Sequence, residues 1–342
     1  MKIGLFGFSK KDEEVNYLLQ NLSDYKVSAL YDELNSRNAS KLSDCDIICG
    51  YGLYRIDKKV INKLKKLKLI CTISTGYDNI DIEYCKKRGI GVSNVPSYGT
   101  EIVAEHTFAL LLAISRNLKK FIKHNLKKKF WIDDFHDFIG FELYNKTLGV
   151  IGTGNIGKKV IQIAKAFGMN VIAYDIVANA QTEKEYGFSY VSLDYLFANS
   201  DIITLHIPYN EKNKYLIDEE AISKMKKGVI IINTARGELV DTTAIIRWMK
   251  KGKIYAFLAD VLEGEVYLRQ FNKNKPVTSE ETYSYYHELL VQLFEQENFV
   301  FTYHNAFNSK EAIKRLLDTT IENINSFAKQ NKQINVVVEY KG

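Results

Sequence analysis

The chain has 342 residues, enough for two domains of ordinary size, and its 46% hydrophobic and 26% charged residues describe a globular sequence, not a disordered or fibrous one. Its longest apolar run, Phe108–Ile114, is far shorter than the roughly 20 residues of a membrane span. The net charge of +6 is small, and in the lysine-dense stretches Lys58–Lys68 and Lys119–Lys129 the lysines alternate with Leu, Ile or Phe at helical spacing, which indicates solvated helix faces and not a nucleic-acid surface.

Met1-Lys-Ile-Gly-Leu-Phe-Gly-Phe8 is too short an apolar run for a secretion signal and reads as a first strand. Further strands are predicted at Lys26–Tyr31, Cys45–Cys49, Leu69–Ile73 and Gly91–Ser93, with helical patterns between them, as in parallel βα units. The four cysteines, Cys45, Cys49, Cys71 and Cys85, form no C-x-x-C pair and have no histidine at metal-finger spacing. They read as buried thiols of a cytoplasmic protein, with no metal site.

Val95-Pro96 breaks the pattern, because the residue before proline is pushed out of the helical region. A long helix from Glu101 to about Asn117 then acts as a connector. From Leu148 the alternation restarts, with strands predicted at Leu148–Ile151, Asn170–Tyr174, Asp201–Leu205, Val229–Ile232, Ile254–Ala259 and Phe299–Thr302, the number a Rossmann domain needs. Residues 263–295 are rich in aromatics and Glu and fit no regular pattern; they read as surface loop, with a cover over a binding site as the alternative. Lys310–Lys329 is amphipathic and needs a partner surface, for which the N-terminal domain is the candidate. The expected class is α/β, with two Rossmann-like or flavodoxin-like lobes built on parallel sheets. The lobes would be a discontinuous domain, 1–99 plus 309–342, and an inserted Rossmann domain, 100–308. Two chain crossings would make a hinge and a cleft.

The most informative segment is Gly152-Thr153-Gly154-Asn155-Ile156-Gly157, which follows an apolar strand and opens a helix; Asp175 then ends the next strand. Gly152 suits the tight turn, Gly154 lets a pyrophosphate approach the backbone, and Gly157 lets helix and strand pack closely, while the helix N-terminus offers free N–H groups. Asp175 would accept from the adenine-ribose hydroxyls and repel a 2′-phosphate, and Ile176–Asn179 contain no cation to hold one, so NAD is favoured over NADP.

Three side chains stand just past strand ends, where ligands of open α/β sheets bind: Arg236, Glu265 and His304. A guanidinium can grip a carboxylate and polarise a carbonyl, an imidazole can donate a proton, and a carboxylate beside it raises its pKa and orients its ring. Taken singly, such an arginine is usually a surface charge and such a histidine structural, and of the neighbouring Glu263 and Glu265 one would be merely solvated.

With these residues and Ser74–Asp81, Val92–Tyr98, Val103-Ala-Glu-His106, Leu205-His206-Ile-Pro208, Asn233–Asp241, Asp260–Glu265 and His304-Asn-Ala306, the chain resembles the D-isomer-specific 2-hydroxyacid dehydrogenases over nearly its full length. Asp260–Glu265 and His304–Phe307 resemble the D-lactate dehydrogenase branch. The resemblance implies a catalytic triad of Arg236, Glu265 and His304. It implies a substrate-carboxylate loop at Thr75 and Gly76 and a substrate contact at Tyr98. Thr153, Asn155 and Ile156 would lie along the pyrophosphate, and His206, Pro208, Thr234, Ala235 and Asp260 around the nicotinamide and its ribose.

Three departures bear on the nicotinamide pocket while leaving each catalytic group in place: Tyr303 stands where the family usually has Pro, Phe257 and Leu258 where it has smaller residues, and Val266 where Pro is common. The implied reaction is NADH reduction of a 2-oxo acid to the D-hydroxy acid, pyruvate being favoured if Tyr51 or Leu53 narrows the pocket. Alternatives are a larger acid (hydroxyisocaproate, glycerate or phosphoglycerate) and an NAD-sensing corepressor. Phe130-Trp131-Ile132, with Phe135 and Phe138, reads as the arm of a homodimer.

Overall fold

The computed structural model describes residues 1–52, 54–126, 131, 135–265 and 280–341. Leu53, Lys127–Lys129, Phe130, Ile132, Val266, Tyr267 and Phe271 therefore lie outside the described residues. The chain divides into two compact units, Met1–Tyr98 with Asn308–Gly342, and Gly99–Phe307.

In the first unit, β1 (Lys2–Phe6), α1 (Glu13–Asn21), β2 (Lys26–Leu30), β3 (Ile47–Tyr51), α2 (Lys58–Ile61), β4 (Leu69–Ile73), α3 (Ile82–Arg88) and β5 (Gly91–Ser93) alternate. The strand runs are almost wholly apolar because a parallel sheet is covered on both faces, and every residue of β4 is buried. The third strand begins two residues later than its cysteines suggest. Asp46 precedes it, accepting from the Lys2 N–H (2.9 Å) and pairing with Lys68 (3.0 Å), so the strand starts at Ile47. In the lysine-rich stretch around α2, Val60, Ile61, Leu64 and Leu67 are buried while Lys58, Lys59, Lys63, Lys65 and Lys66 are exposed. All four cysteines are buried free thiols, and burial pushes Cys45 up to about 11 and Cys85 to about 12, which leaves them unreactive at neutral pH.

The second unit runs α4 (Thr100–Ser115), α5 (Leu118–Leu126), β6 (Thr147–Ile151), α6 (Asn155–Ala166), β7 (Asn170–Tyr174), α7 (Ala180–Tyr186), β8 (Ser189–Tyr190), α8 (Leu193–Asn199), β9 (Ile202–Leu205), α9 (Glu219–Lys224), β10 (Val229–Asn233), α10 (Thr242–Lys250), β11 (Ile254–Ala259), α11 (Glu280–Phe294) and β12 (Phe299–Phe301). Its strand order is β12-β11-β10-β9-β6-β7-β8, all parallel. The chain goes from β6 to β7 and β8 on one side, then crosses back from β8 to β9 on the other side of β6, so the doubly wound sheet has its switch point beside β6. The seventh strand, β8, is two residues long and carries no readable period. The connector helix α4 is a core element of this unit: Ala104, Phe108 and Leu111 pack with Leu148, Val160 and Leu258. The segment 263–295 is not all loop; its second half is α11, which buries Leu289 and Leu293 against the core that holds Phe257 and Phe299.

The chain then returns to the first unit through α12 (Lys310–Gln330) and β13 (Val336–Val338). Leu316, Leu317, Ile324 and Phe327 of α12 share a core with Ile3, Leu5, Val15, Leu18 and Cys71, so the N-terminal sheet is the partner this amphipathic helix needs. The first sheet has the order β13-β5-β4-β3-β1-β2, in which β13 alone is antiparallel, an edge strand with no sequence signal of its own. Both units are α/β with parallel sheets, the class read from the sequence. Among the described residues, no helix is long and apolar enough to cross a membrane.

Candidate active site

At the carboxyl end of β6 the chain turns through Gly152 at φ +97°, where a Cβ would lie 2.5 Å from the His206 carbonyl oxygen. At Gly157 a Cβ would lie 1.9 Å from the Gly152 oxygen, so only glycine lets α6 sit this close to its strand. Gly154 has nothing within 4 Å of its missing Cβ, and it precedes Asn155 and Ile156, the first residues of α6. The result is an open, Cβ-free approach to the positive end of a helix.

Asp175 immediately follows β7 and is tied to this turn. The Thr153 N–H and hydroxyl donate to its Oδ2 at 2.7 and 2.9 Å, and the Thr153 hydroxyl also meets Tyr190 Oη at 2.8 Å. Burial acts to raise the Asp175 pKa, but hydrogen bonds from the Thr153, Val177 and Ile176 N–H groups and the Thr153 hydroxyl outweigh it, so the carboxyl titrates below its ordinary value. Thr153 thus braces the glycine turn against the acid. Ile176 and Val177 beyond it are exposed, and no cation accompanies them up to Asn179.

The ends of β9 and β10 come next across the sheet. The His206 N–H donates to the Ile151 carbonyl at 2.8 Å, and its Nε2 lies 2.9 Å from Thr204 Oγ1. Desolvation pushes its pKa down to about 3, so the ring is neutral in ordinary buffers. Pro208 is exposed. Past β10, Asn233 folds the loop on itself, accepting from the Ala235 N–H (3.0 Å) and donating to the Arg236 carbonyl (2.8 Å). Thr234 Oγ1 lies 3.2 Å from Thr107 Oγ1 on α4. The half-buried Arg236 donates from Nη1 to the Ala235 carbonyl at 2.8 Å. A Cβ on Gly237 would sit 2.1 Å from the Leu262 carbonyl carbon, so the Arg236 loop lies directly on the loop that carries Glu263 and Glu265.

His304 and Glu265 are joined: His304 Nδ1 lies 2.7 Å from Glu265 Oε1, with side chains 28% and 22% exposed, retaining access to solvent-borne reactants. An ionised carboxylate only accepts, so Nδ1 carries a proton and Nε2 is the nitrogen left to exchange one. Glu263 is not merely solvated beside it. It accepts from the Tyr215 hydroxyl, and burial raises its pKa despite that bond.

The turn bearing His304 is strained. Tyr303 (φ 54°) and His304 (φ 55°) are both left-handed, at about 1–2 kcal/mol per non-glycine residue. Asp260, almost fully buried at the end of β11, holds them there. Its carbonyl accepts from the His304 N–H (2.6 Å), and its carboxylate accepts from the Thr302 hydroxyl and from the N–H groups of Asn305 (2.8 Å) and Ala306 (3.0 Å). This explains one departure: the proline ring holds φ near −65° and cannot occupy the conformation at Tyr303. The departure at Phe257 and Leu258 is explained by burial. Phe257 stacks on Phe299 (5.9 Å) in one core and Leu258 lies in the other, so their bulk fills the two faces of the sheet.

Thr75, Gly76 and Tyr98 belong to the first unit. The Thr75 hydroxyl donates to the Val95 carbonyl (2.7 Å), the Thr75 carbonyl accepts from Asn94 (2.7 Å), and the Gly76 carbonyl accepts from Ser74 (2.6 Å). Among the described residues neither the Thr75 nor the Gly76 N–H has a hydrogen-bond partner, the arrangement a carboxylate-binding loop needs. The Tyr98 carbonyl accepts two bonds from Arg315, at 3.1 and 2.9 Å. The sequence reading missed Thr302 and gave His106 no role; His106 Nε2 lies 2.9 Å from Thr302 Oγ1. No local pattern could signal that pairing across 196 residues.

The family profile of the D-isomer specific 2-hydroxyacid dehydrogenase NAD binding domain matches residues 108–306. The chain is 38% identical to the aromatic 2-oxoacid reductase of Clostridium sporogenes, over 89% of each chain. It is 31% identical to the D-lactate dehydrogenase of Escherichia coli strain K12, over 96% of this chain and 97% of that one. The crystal structure of D-lactate dehydrogenase from Aquifex aeolicus, complexed with NAD and lactic acid, superimposes with a TM-score of 0.88 at 34% identity, covering 99% of this chain and 100% of that one.

Two outcomes test the geometry. Tyr303→Pro forces the left-handed turn to rearrange and is expected to cost on the order of 3 kcal/mol in urea unfolding; unchanged stability would show that the turn is not held as described. His206 binds a proton below about 6.5 when unfolded but only below about 3 when folded, so stability falls as pH drops through that window. The unfolding midpoint of the native protein should therefore fall more between pH 7 and pH 5 than that of His206→Gln.

Proposed function

Since the chain belongs to the D-isomer-specific 2-hydroxyacid dehydrogenases, which are NAD-dependent oxidoreductases, we propose that it is a D-lactate dehydrogenase, reducing pyruvate to D-lactate with NADH. The observation that carries this reading is the 2.7 Å His304–Glu265 pair, standing at the carboxyl ends of the same parallel sheet that forms the glycine turn.

The residues present fit NAD: a Cβ-free turn at Gly152 and Gly154, the N-terminal N–H groups of Asn155, Ile156 and Gly157, and an ionised Asp175. The proposed nicotinamide side is lined by His206, Pro208, Thr234, Ala235 and Asp260. Bound NADH supplies the hydride. Arg236 grips the 2-oxo acid's carboxylate and polarises its carbonyl oxygen. His304 Nε2–H gives its proton to that oxygen as charge develops there, while Glu265 holds Nδ1–H and stabilises the imidazolium. In the oxidative direction Nε2 takes the hydroxyl proton. In the first unit, the resemblance assigns Thr75, Gly76 and Tyr98 to substrate binding, and the Thr75 and Gly76 N–H groups, unpaired among the described residues, suit a carboxylate. Tyr51 packs on Phe8 at 5.2 Å in the first unit's core, so the preference for pyruvate rests on the likeness to D-lactate dehydrogenases. The 38% identity to an aromatic 2-oxoacid reductase favours a larger substrate side chain as the second reading.

We also place the protein in the cytoplasm as a homodimer. Leu118, Ile122 and Leu126 form an exposed apolar stripe along α5, joined by exposed Trp131, Phe135 and Ile139. A monomer in light scattering would remove the dimer.

With a panel of 2-oxo acids, NADH oxidation should be fastest with pyruvate, and His304→Ala should lower turnover about 10²- to 10⁴-fold with NADH affinity nearly intact. Preference for a branched or aromatic acid would move the substrate assignment within the family. Full turnover in His304→Ala would end the proposed mechanism.

A further inference from the structure

The strained turn is braced from outside its own loop. His106, half-buried on α4, sets Nε2 at 2.9 Å from Thr302 Oγ1 and 3.6 Å from Asp260 Oδ1. Thr302 has a single hydroxyl proton. Asp260 already accepts two backbone N–H groups on its carboxylate, so it acts as an acceptor, and the Thr302 hydroxyl donates its hydrogen bond to it. The Thr302 oxygen is then left to accept, which fixes the His106 tautomer with its hydrogen on Nε2. A three-member chain results, His106 Nε2–H to Thr302 Oγ1–H to Asp260 Oδ1. Each bond polarises the next, and the chain ends on the residue that clamps Tyr303 and His304. Burial lowers the His106 pKa and the Asp260 charge opposes this only in part, so the ring stays neutral near pH 7.

We infer that His106 is a positioning residue: acting through Thr302 and Asp260, it fixes the left-handed turn and with it the direction in which His304 presents Nε2. Its place on α4 suits the role, because that helix is packed in the sheet's core and moves less than a loop would. The Thr107–Thr234 contact one residue further along α4 braces the loop before Arg236 in the same manner. One helix thus steadies the loops of both the proposed proton donor and the proposed carboxylate-binding cation. The inference rests on His304 acting as the proton donor.

The test compares His106→Phe, His106→Gln and Thr302→Val with the native enzyme in NADH oxidation with pyruvate, alongside melting temperature and NADH affinity by fluorescence. His106→Phe fills the site without a donor and should lower kcat about five- to tenfold, as for loss of one ordinary hydrogen bond, with melting temperature and NADH affinity held. His106→Gln, whose Nε2 can take the ring nitrogen's place, should recover most of that loss. Thr302→Val should resemble His106→Phe, and the double variant should be no worse than either alone. Native kcat in His106→Phe, equal loss in the Phe and Gln variants, or fully additive effects would overturn the inference. If Thr302→Val fails to fold, the Phe and Gln pair decides by itself. Full turnover in His304→Ala would instead defeat the catalytic reading on which the inference rests.

Discussion

One buried carboxylate organises the loop that carries His304. Asp260 receives the backbone of Asn305 and Ala306 and the Thr302 hydroxyl on its side chain, and the His304 N–H on its carbonyl. Without these bonds two consecutive left-handed non-glycine residues would not persist, since the extended alternative is cheaper for each. With them, His304 is aimed from a rigid strand end and meets Glu265. The strain at Tyr303 and His304 is therefore balanced by polar bonds made in a nearly dry environment, where they are strongest.

The same logic recurs at the other loops. Thr153 fastens the glycine turn to Asp175, Asn233 closes the loop before Arg236, and the missing side chain of Gly237 lets that loop lie on the one carrying Glu265. Short connections carry Arg236, Glu265 and His304, and local hydrogen bonds and close packing brace them. In the proposed reaction Arg236, His304 and the α6 N-terminus meet substrate and cofactor, while the bracing groups hold the shape of their loops.

Much of this was legible in the residues. Glycine spacing announces its own purpose, because only glycine tolerates φ +97° at position 152 or contact with a carbonyl at position 157. Apolar strand runs announced a covered parallel sheet for the same reason, burial on both faces. Three elements escaped. The edge strand β13 and the two-residue β8 are too short for any period, and α11 was hidden by aromatics that disguise its Leu289–Leu293 spacing. One of Glu263 and Glu265 was expected to be merely solvated, yet Glu263 has a tyrosine partner that the sequence places 48 residues away and Glu265 meets His304.

The amino-acid order by itself determined the α/β class, the dinucleotide turn, the acid at Asp175 and which side chains stand past strand ends, because these follow from local stereochemistry and from the period of burial. Only the tertiary structure decided that His304 meets Glu265 through Nδ1, that Tyr303 occupies a backbone conformation closed to proline, and that His106 reaches Thr302. Those facts depend on which strands become neighbours. Neighbours in a sheet are chosen by the packing of both its faces, over separations that no local pattern spans.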